Sequence, residues 1–152
     1  MGHHISGIIG APAILRDFAR ENSLHAPAAL KGGLAFLPLD DDHLEALFPR
    51  PGEFDPAMTY LSAALKDVLA VLSSLGPVAY VETDYFGGTG VQGATVYRDG
   101  RCVLEPRTEE YGVVSEALRL LGVAAEWGED EFDAVGLGRH RSNEGWVEAG
   151  KK

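Results

Sequence analysis

A chain of 152 residues can bury a sizeable core as one domain spanning 1–152, and its single cysteine, Cys102, cannot form an intramolecular disulfide, which points to a reducing compartment. The 23 acidic residues against 13 basic ones give a net charge of −10, a surface that repels nucleic acid and anionic membranes and steers basic partners towards it. No charged region precedes a long apolar stretch at Met1-Gly2-His3-His4-Ile5-Ser6, and no run reaches the roughly 20 apolar residues of a membrane span, so a soluble cytoplasmic protein with no membrane or nucleic-acid partner is expected.

Ile5 to Ile9, closed by Gly10, reads as a first strand, with His3-His4 before it as a native or cloned tail. Ala11-Pro12 opens a helix, since proline suits the first turn and Ile14, Leu15 and Phe18 form an apolar stripe. Leu24 to Gly33 carries Pro27 and two glycines and reads as loop, and Leu34 to Leu39 as a strand covered on both faces. The polar cluster Asp40-Asp41-Asp42-His43 could hold a metal, but an Asp just ahead of Leu44, Leu47 and Phe48 is what a short helix takes as its N-cap, so no metal site is expected there.

Phe48 to Glu53 is loop by composition. A long helix is then expected, with Asp55 as N-cap, Pro56 at its first position and Gly76-Pro77 as its stop. Leu61, Leu65, Val68, Leu72 and Leu75 recur along it at helical spacing, and Met58, Leu69 and Val71 broaden that apolar face. Three β-type runs follow, Val78–Tyr85, Val91–Tyr97 and Arg101–Leu104, separated by a glycine cluster and an Asp99-Gly100 turn, which is the pattern of an antiparallel meander. Thr108-Glu109-Glu110 opens a further helix lined by Val114, Ala117, Leu118 and Leu121 and ended by Gly122. The remainder reads as a tail, with Gly150-Lys151-Lys152 a frayed end. The expected fold is α+β: a mixed, largely antiparallel sheet with a late β-meander and helices packed mainly on one face.

Gly88 to Gly93 satisfies G-x-G-x-x-G, but Ala94 to Gly100 continues as a strand into a turn, where a dinucleotide site needs a helix N-terminus. The cluster therefore reads as a turn whose glycines supply positive φ and allow close backbone approach. Glu82 and Asp84 lie two apart, on one strand face with Tyr80. They fit the solvated side of a half-covered sheet, with Ala79, Val81, Thr83 and Tyr85 turned to the helices. Paired carboxylates also suit acid–base work or a bound cation. With Gln92 they make an alternative candidate, a small-molecule-binding or enzymatic pocket around the Tyr85–Gln92 turn. None of the serines lies in G-x-S-x-G, and a mid-strand Cys102 reads as a small core residue, so no catalytic residue and no cofactor is expected.

Downstream of Gly122 the composition changes. Glu126, Glu129, Asp130, Glu131 and Asp133 surround Trp127 and Phe132, and Arg139-His140-Arg141 follows ahead of Trp146. Such a run can be a solvated face that pairs with itself, and aromatic residues among acids also suit the docking of a basic protein. The partner-binding candidates are Trp127, Glu129, Asp130 and Phe132, with Tyr85 and Phe86 at the glycine turn.

At Tyr85-Phe86-Gly87-Gly88-Thr89-Gly90-Val91-Gln92 the chain resembles a group of uncharacterised small bacterial proteins in which a strand ending in Glu-Thr-Asp-Tyr-Phe-Gly-Gly precedes another strand. Some of these look like cytoplasmic immunity proteins that neutralise a toxin by binding it. The resemblance covers about a quarter of the chain and carries no catalytic residues over. It implies a non-enzymatic protein-binding function with a basic toxin as partner.

Overall fold

The computed structural model describes residues 2–151. In chain order its elements are β1 (His3–Gly10), α1 (Pro12–Glu21), β2 (Ala28–Ala29), β3 (Ala35–Pro38), α2 (Asp41–Leu47), α3 (Ala63–Ser73), β4 (Val78–Phe86), β5 (Thr89–Arg98), β6 (Arg101–Glu109), α4 (Val113–Leu120), α5 (Glu131–Val135) and α6 (Asn143–Gly150), with a 3-10 turn at Leu137–Arg139 between the last two. The strands form one six-stranded sheet in the order β2-β3-β1-β4-β5-β6, and every pairing along it is antiparallel. The α+β class and the late β4-β5-β6 meander are as the sequence predicts. His3 and His4 are part of β1, where His3 pairs with Tyr85 and His4 with Asp84.

Helices cover both faces of this sheet, where the sequence led us to expect one. Successive residues of β4 separate onto two cores, as strand alternation requires. Val78 and Tyr80 join Ile8, Leu37 and Tyr97 beneath α1, α2 and α3. Ala79 and Val81 join Ile5, Ile9, Phe36 and Val96 beneath α4, α5 and α6. The second layer escapes a reading of the sequence because its anchor, Trp146, stands in a stretch that reads as a polar tail. The indole is fully buried, edge-on to Phe36 at 5.6 Å, and its Nε1–H donates to the His140 carbonyl at 3.2 Å. Gly150 closes α6 rather than fraying. Met1 and Lys152 lie outside the described residues.

Two helix starts also differ from expectation. α3 begins at Ala63, with the Ser62 hydroxyl accepting from the Leu65 N–H at 3.1 Å as its cap. Asp55 caps nothing: its carboxylate takes the Ala57 N–H at 2.8 Å and the Lys66 ammonium at 2.7 Å, making a local turn. That ammonium, first among the causes, holds the Asp55 carboxyl below its usual range. In the second case β6 runs on to Glu109, paired with Gln92, so Thr108 and Glu109, expected to open a helix, belong to the sheet and α4 starts only after Gly112. The short helix α2 is as expected, with Asp40 accepting from the His43 N–H at 3.0 Å and the His43 ring accepting from the Asp40 N–H at 3.1 Å in a reciprocal cap. Between β4 and β5 stands a two-residue turn, Gly87-Gly88, both at positive φ (62° and 81°), which is the conformation that closes a tight hairpin. Gly90 is needed for space: a Cβ there would meet the Asp84 carbonyl oxygen and lie 2.7 Å from the Tyr85 Cα.

No helix among the described residues is long and apolar enough to cross a membrane. The packing of α3 makes a graded test. Leu65 and Leu69 are fully buried, whereas Val71 and Leu75 are 71% and 72% exposed. Leu65→Ala and Leu69→Ala should each cost about 2–5 kcal/mol of stability in urea denaturation, whereas Val71→Ala and Leu75→Ala should stay within about 0.5 kcal/mol.

Candidate functional site

The acidic aromatic segment lies between α4 and α5, on the Val81 side of the sheet. Within it the Glu129 N–H donates to the Glu126 carbonyl at 3.2 Å and Gly128 has φ +92°, so Trp127 and Gly128 are the two central residues of a turn that requires positive φ at its third position. The turn is fastened at both ends: Glu129 Oε1 accepts from the Glu126 N–H at 3.3 Å, and Asp130 caps α5 by accepting from the Asp133 N–H at 2.8 Å. At its tip the Trp127 side chain is 101% exposed, with Glu126, Glu129 and Asp130 exposed around it. Burial, with Asp130 next, raises the Asp133 carboxyl above its ordinary value.

Phe132 does not share this surface. It is half-buried against the core beneath α4, α5 and α6, and its ring meets the His3 ring edge-on at 5.5 Å. The apolar residue that follows an acidic cap belongs to the core side of α5, a distinction that composition alone does not carry.

At the hairpin, Phe86 is 81% exposed beside the Gly87-Gly88 turn, whereas Tyr85 is tied down. The Tyr85 hydroxyl donates to the Glu110 carbonyl and accepts from Gln92 Nε2 at 3.1 Å. Gln92 Oε1 accepts from the Val114 N–H at 2.8 Å, so this side chain caps the first turn of α4, where Gly112 offers none. The register pairs Thr83 with Gln92 and Glu82 with Gly93. Gln92 therefore lies on the opposite face from Glu82 and Asp84, and these three do not line one pocket.

Glu82 is buried rather than solvated. Its Oε1 accepts from the Thr59 N–H at 2.8 Å, and its Oε2 accepts from the Tyr60 N–H at 2.7 Å and the Tyr80 hydroxyl at 2.8 Å. Asp84, two residues further, is exposed and 3.6 Å from the His4 ring. Only about 50 Å³ of space adjoins the pair, bounded by Thr59, Val91 and Thr108. The carboxylate is an anchor for residues 59–60, and Tyr80 beneath it is a core residue whose hydroxyl burial holds well above its ordinary pKa.

That anchor fixes one wall of a cavity that the sequence reading did not find. About 160 Å³ opens between α2 and the 48–62 segment, lined by Leu44, Phe48, Phe54 and Tyr60, with Asp41 and Glu45 at α2. Phe48 reads as the start of a loop and Tyr60 as part of a long helix, so nothing local brought them together. Burial raises the Tyr60 hydroxyl pKa, and the Asp41 charge raises it further, followed by Glu82 and Asp84. A second, polar cavity of about 300 Å³ lies between α2 and α6, lined by Asp40, His43, Glu144, Val147 and Glu148. Among the described residues no group of three or more His, Cys, Asp or Glu side chains is disposed to hold a metal ion. Cys102 is half-buried in β6, and burial pushes its thiol pKa up.

No family model, curated protein or solved structure matches the chain.

Two tests follow from these contacts. Glu82→Gln keeps the shape but brings an NH2 group against backbone N–H donors, and should cost about 2–3 kcal/mol, the worth of a charge-assisted bond. Tyr80→Phe should cost about 1 kcal/mol alone and less when combined with Glu82→Gln, because the two groups share one network. Additive losses in urea denaturation would mean that the groups act separately.

The second test concerns pH. Burial lowers the pKa of His3, whose Nε2–H donates to the Leu137 carbonyl at 3.1 Å, and of His25, whose Nε2–H donates to the Pro38 carbonyl at 2.6 Å. Both folded-state values lie below the ordinary 6.5, so below that pH the unfolded chain binds more protons. Their stabilisation is complete above about pH 6.5 and is lost as pH falls. A His3→Gln, His25→Gln double variant should lose less stability than the parent between about pH 7.5 and about pH 5.5.

Proposed function

We propose that this protein is a non-enzymatic cytoplasmic domain that binds a basic protein through the Trp127 turn. The observation that carries the reading is the full exposure of Trp127 at the tip of a turn fixed by its own hydrogen bonds, among Glu126, Glu129 and Asp130. An indole is the side chain most often found as an interface anchor, and a preformed turn has little conformational entropy left to lose on binding. The net charge of −10 supports a basic partner, since like charge repels and opposite charge steers encounter. The resemblance of the Tyr85–Gln92 motif to a group in which some members look like immunity proteins extends the proposal to a basic toxin, with Phe86 a second exposed aromatic group for it to meet.

Charge and anchor separate in kinetics. Against a basic partner recovered from cells, reversing Glu126, whose carboxylate holds no part of the turn, to Lys should slow association at low salt, and the difference should shrink as salt rises. Trp127→Ala should leave association nearly unchanged and speed dissociation by at least about 30-fold, as an anchor of hot-spot strength requires. A partner that binds both variants as it binds the parent would place its site away from this turn.

A further inference from the structure

The geometry points to the cavity between α2 and the 48–62 segment as a binding site for a trimethylammonium group. It lies on the Tyr80 side of the sheet, opposite the Trp127 turn, and is independent of any partner bound there.

Size comes first. At about 160 Å³ the cavity is close to the volume that accepts a benzene-sized guest in a protein interior. A trimethylammonium head is a compact, nearly spherical group of that class.

Chemistry then chooses among compact guests. Phe48, Phe54 and Tyr60 put three aromatic rings around the space, with Leu44 at its side. Aromatic faces attract cations through the ring quadrupole, and several rings together are the usual way to hold a quaternary ammonium. Asp41 and Glu45 stand one helical turn apart on α2 and are exposed to solvent. Among the described residues neither has a basic partner within salt-bridge distance. The rim is thus negative and uncompensated. A neutral apolar guest would gain nothing from these charges, and an anion would be repelled.

Between kinds of cation, the lining favours one without N–H donors. A guanidinium carries five donors and an ammonium three, each of which needs an acceptor once water is removed. Beyond the two rim carboxylates, which stand in solvent, the polar side chains are two hydroxyls, Ser62, already the cap of α3, and Tyr60. A trimethylammonium group has no donor to satisfy, and its methyl groups suit aromatic walls. The head could belong to a small solute of the choline type or to a trimethylated lysine side chain.

The test is a titration of the full chain followed by NMR on the Phe54 and Tyr60 ring signals, with tetramethylammonium, choline and the neutral carbon isostere of choline, in which a tert-butyl group replaces the charged head. Tetramethylammonium and choline should saturate these signals, and the neutral isostere should bind at least about 2-fold more weakly, the least a cation–π contribution supplies. Phe54→Ala and Asp41→Asn, both at exposed positions, should each weaken choline binding about 2- to 30-fold, with the melting temperature kept near that of the parent. Equal affinity for the isostere, undiminished binding by both variants, or no saturation up to about 50 mM, well above the millimolar range of a weak site, would overturn the assignment. A peptide carrying trimethyl-lysine, set against its unmodified form, assigns the source. Tighter binding than choline, dependent on the methyl groups, identifies a protein side chain, and the reverse order identifies a free solute.

Discussion

The carboxylate of Glu82 is the contact on which most of the Tyr80 side depends. It stands in a central strand, nearly out of water, and an ion there is tolerable only if its oxygens are occupied. The Tyr80 hydroxyl and two backbone N–H groups occupy them. The backbone donors come from Thr59 and Tyr60, so the bond that satisfies the charge also arrests the segment before α3. With that segment held, Ser62 is placed to cap α3, Phe54 pairs with Ser62, and Lys66 on the first turn of α3 reaches Asp55. The leucines of α3 then fall onto the sheet. Order passes from β4 to a loop and from the loop to a helix.

Because both faces of the sheet are covered, the exposed chemistry is pushed to turns and edges. β4 is buried from Val78 to Thr83 and only then emerges, so Asp84, Phe86 and the glycine turn project from one end. β6, at one edge of the sheet, carries Arg101, Pro106 and Arg107. Proline and charge at an edge are what keep an unpaired strand from recruiting another. The fully exposed Trp127 stands out against this pattern, since a chain that buries Trp146 completely can accommodate an indole elsewhere.

What the sequence made legible was local. The hairpin glycines, the Asp40 cap, the α1 stripe and the meander are each decided within a few residues, and each stands where the pattern puts it. The failures share one cause, which is that the deciding partner is distant in the chain. Asp55-Pro56 is as good a helix start as Ser62-Ala63 by local signals, and what separates them is the Glu82 carboxylate, which holds Thr59 from 23 residues along the chain. Glu82 alternates with apolar neighbours as a solvated residue would, and nothing nearby announces that Thr59 will meet it. Trp146 sits among Glu144, Val147 and Glu148 and looks like surface until Phe36 is placed beside it. Phe132 and Trp127 are alike in their acidic surroundings, yet one rests on His3 and the other on nothing. Of the candidate site residues, Trp127, Glu129, Asp130 and Phe86 are at the surface as a binding role needs, whereas Phe132, Tyr85, Glu82 and Gln92 hold elements together.

The acidic excess divides in the same way. Asp40, Asp55, Glu82 and Asp130 are committed to caps, a lysine or backbone donors, and their charge is absorbed by the fold. Asp41 and Glu45 on one side of the sheet, and Glu126 and Glu129 on the other, have no such basic partner among the described residues and set the field that an approaching cation meets. The two groups are separated by a sheet packed on both faces, and the residues of the cavity and of the Trp127 turn belong to different cores. Coupling between two sites requires an element with two arrangements that both ligands bias. A covered antiparallel sheet with β1 and β4 fixed between two packed layers is a poor candidate for that element, so a cation in the cavity and a partner on the Trp127 turn would bind independently of one another.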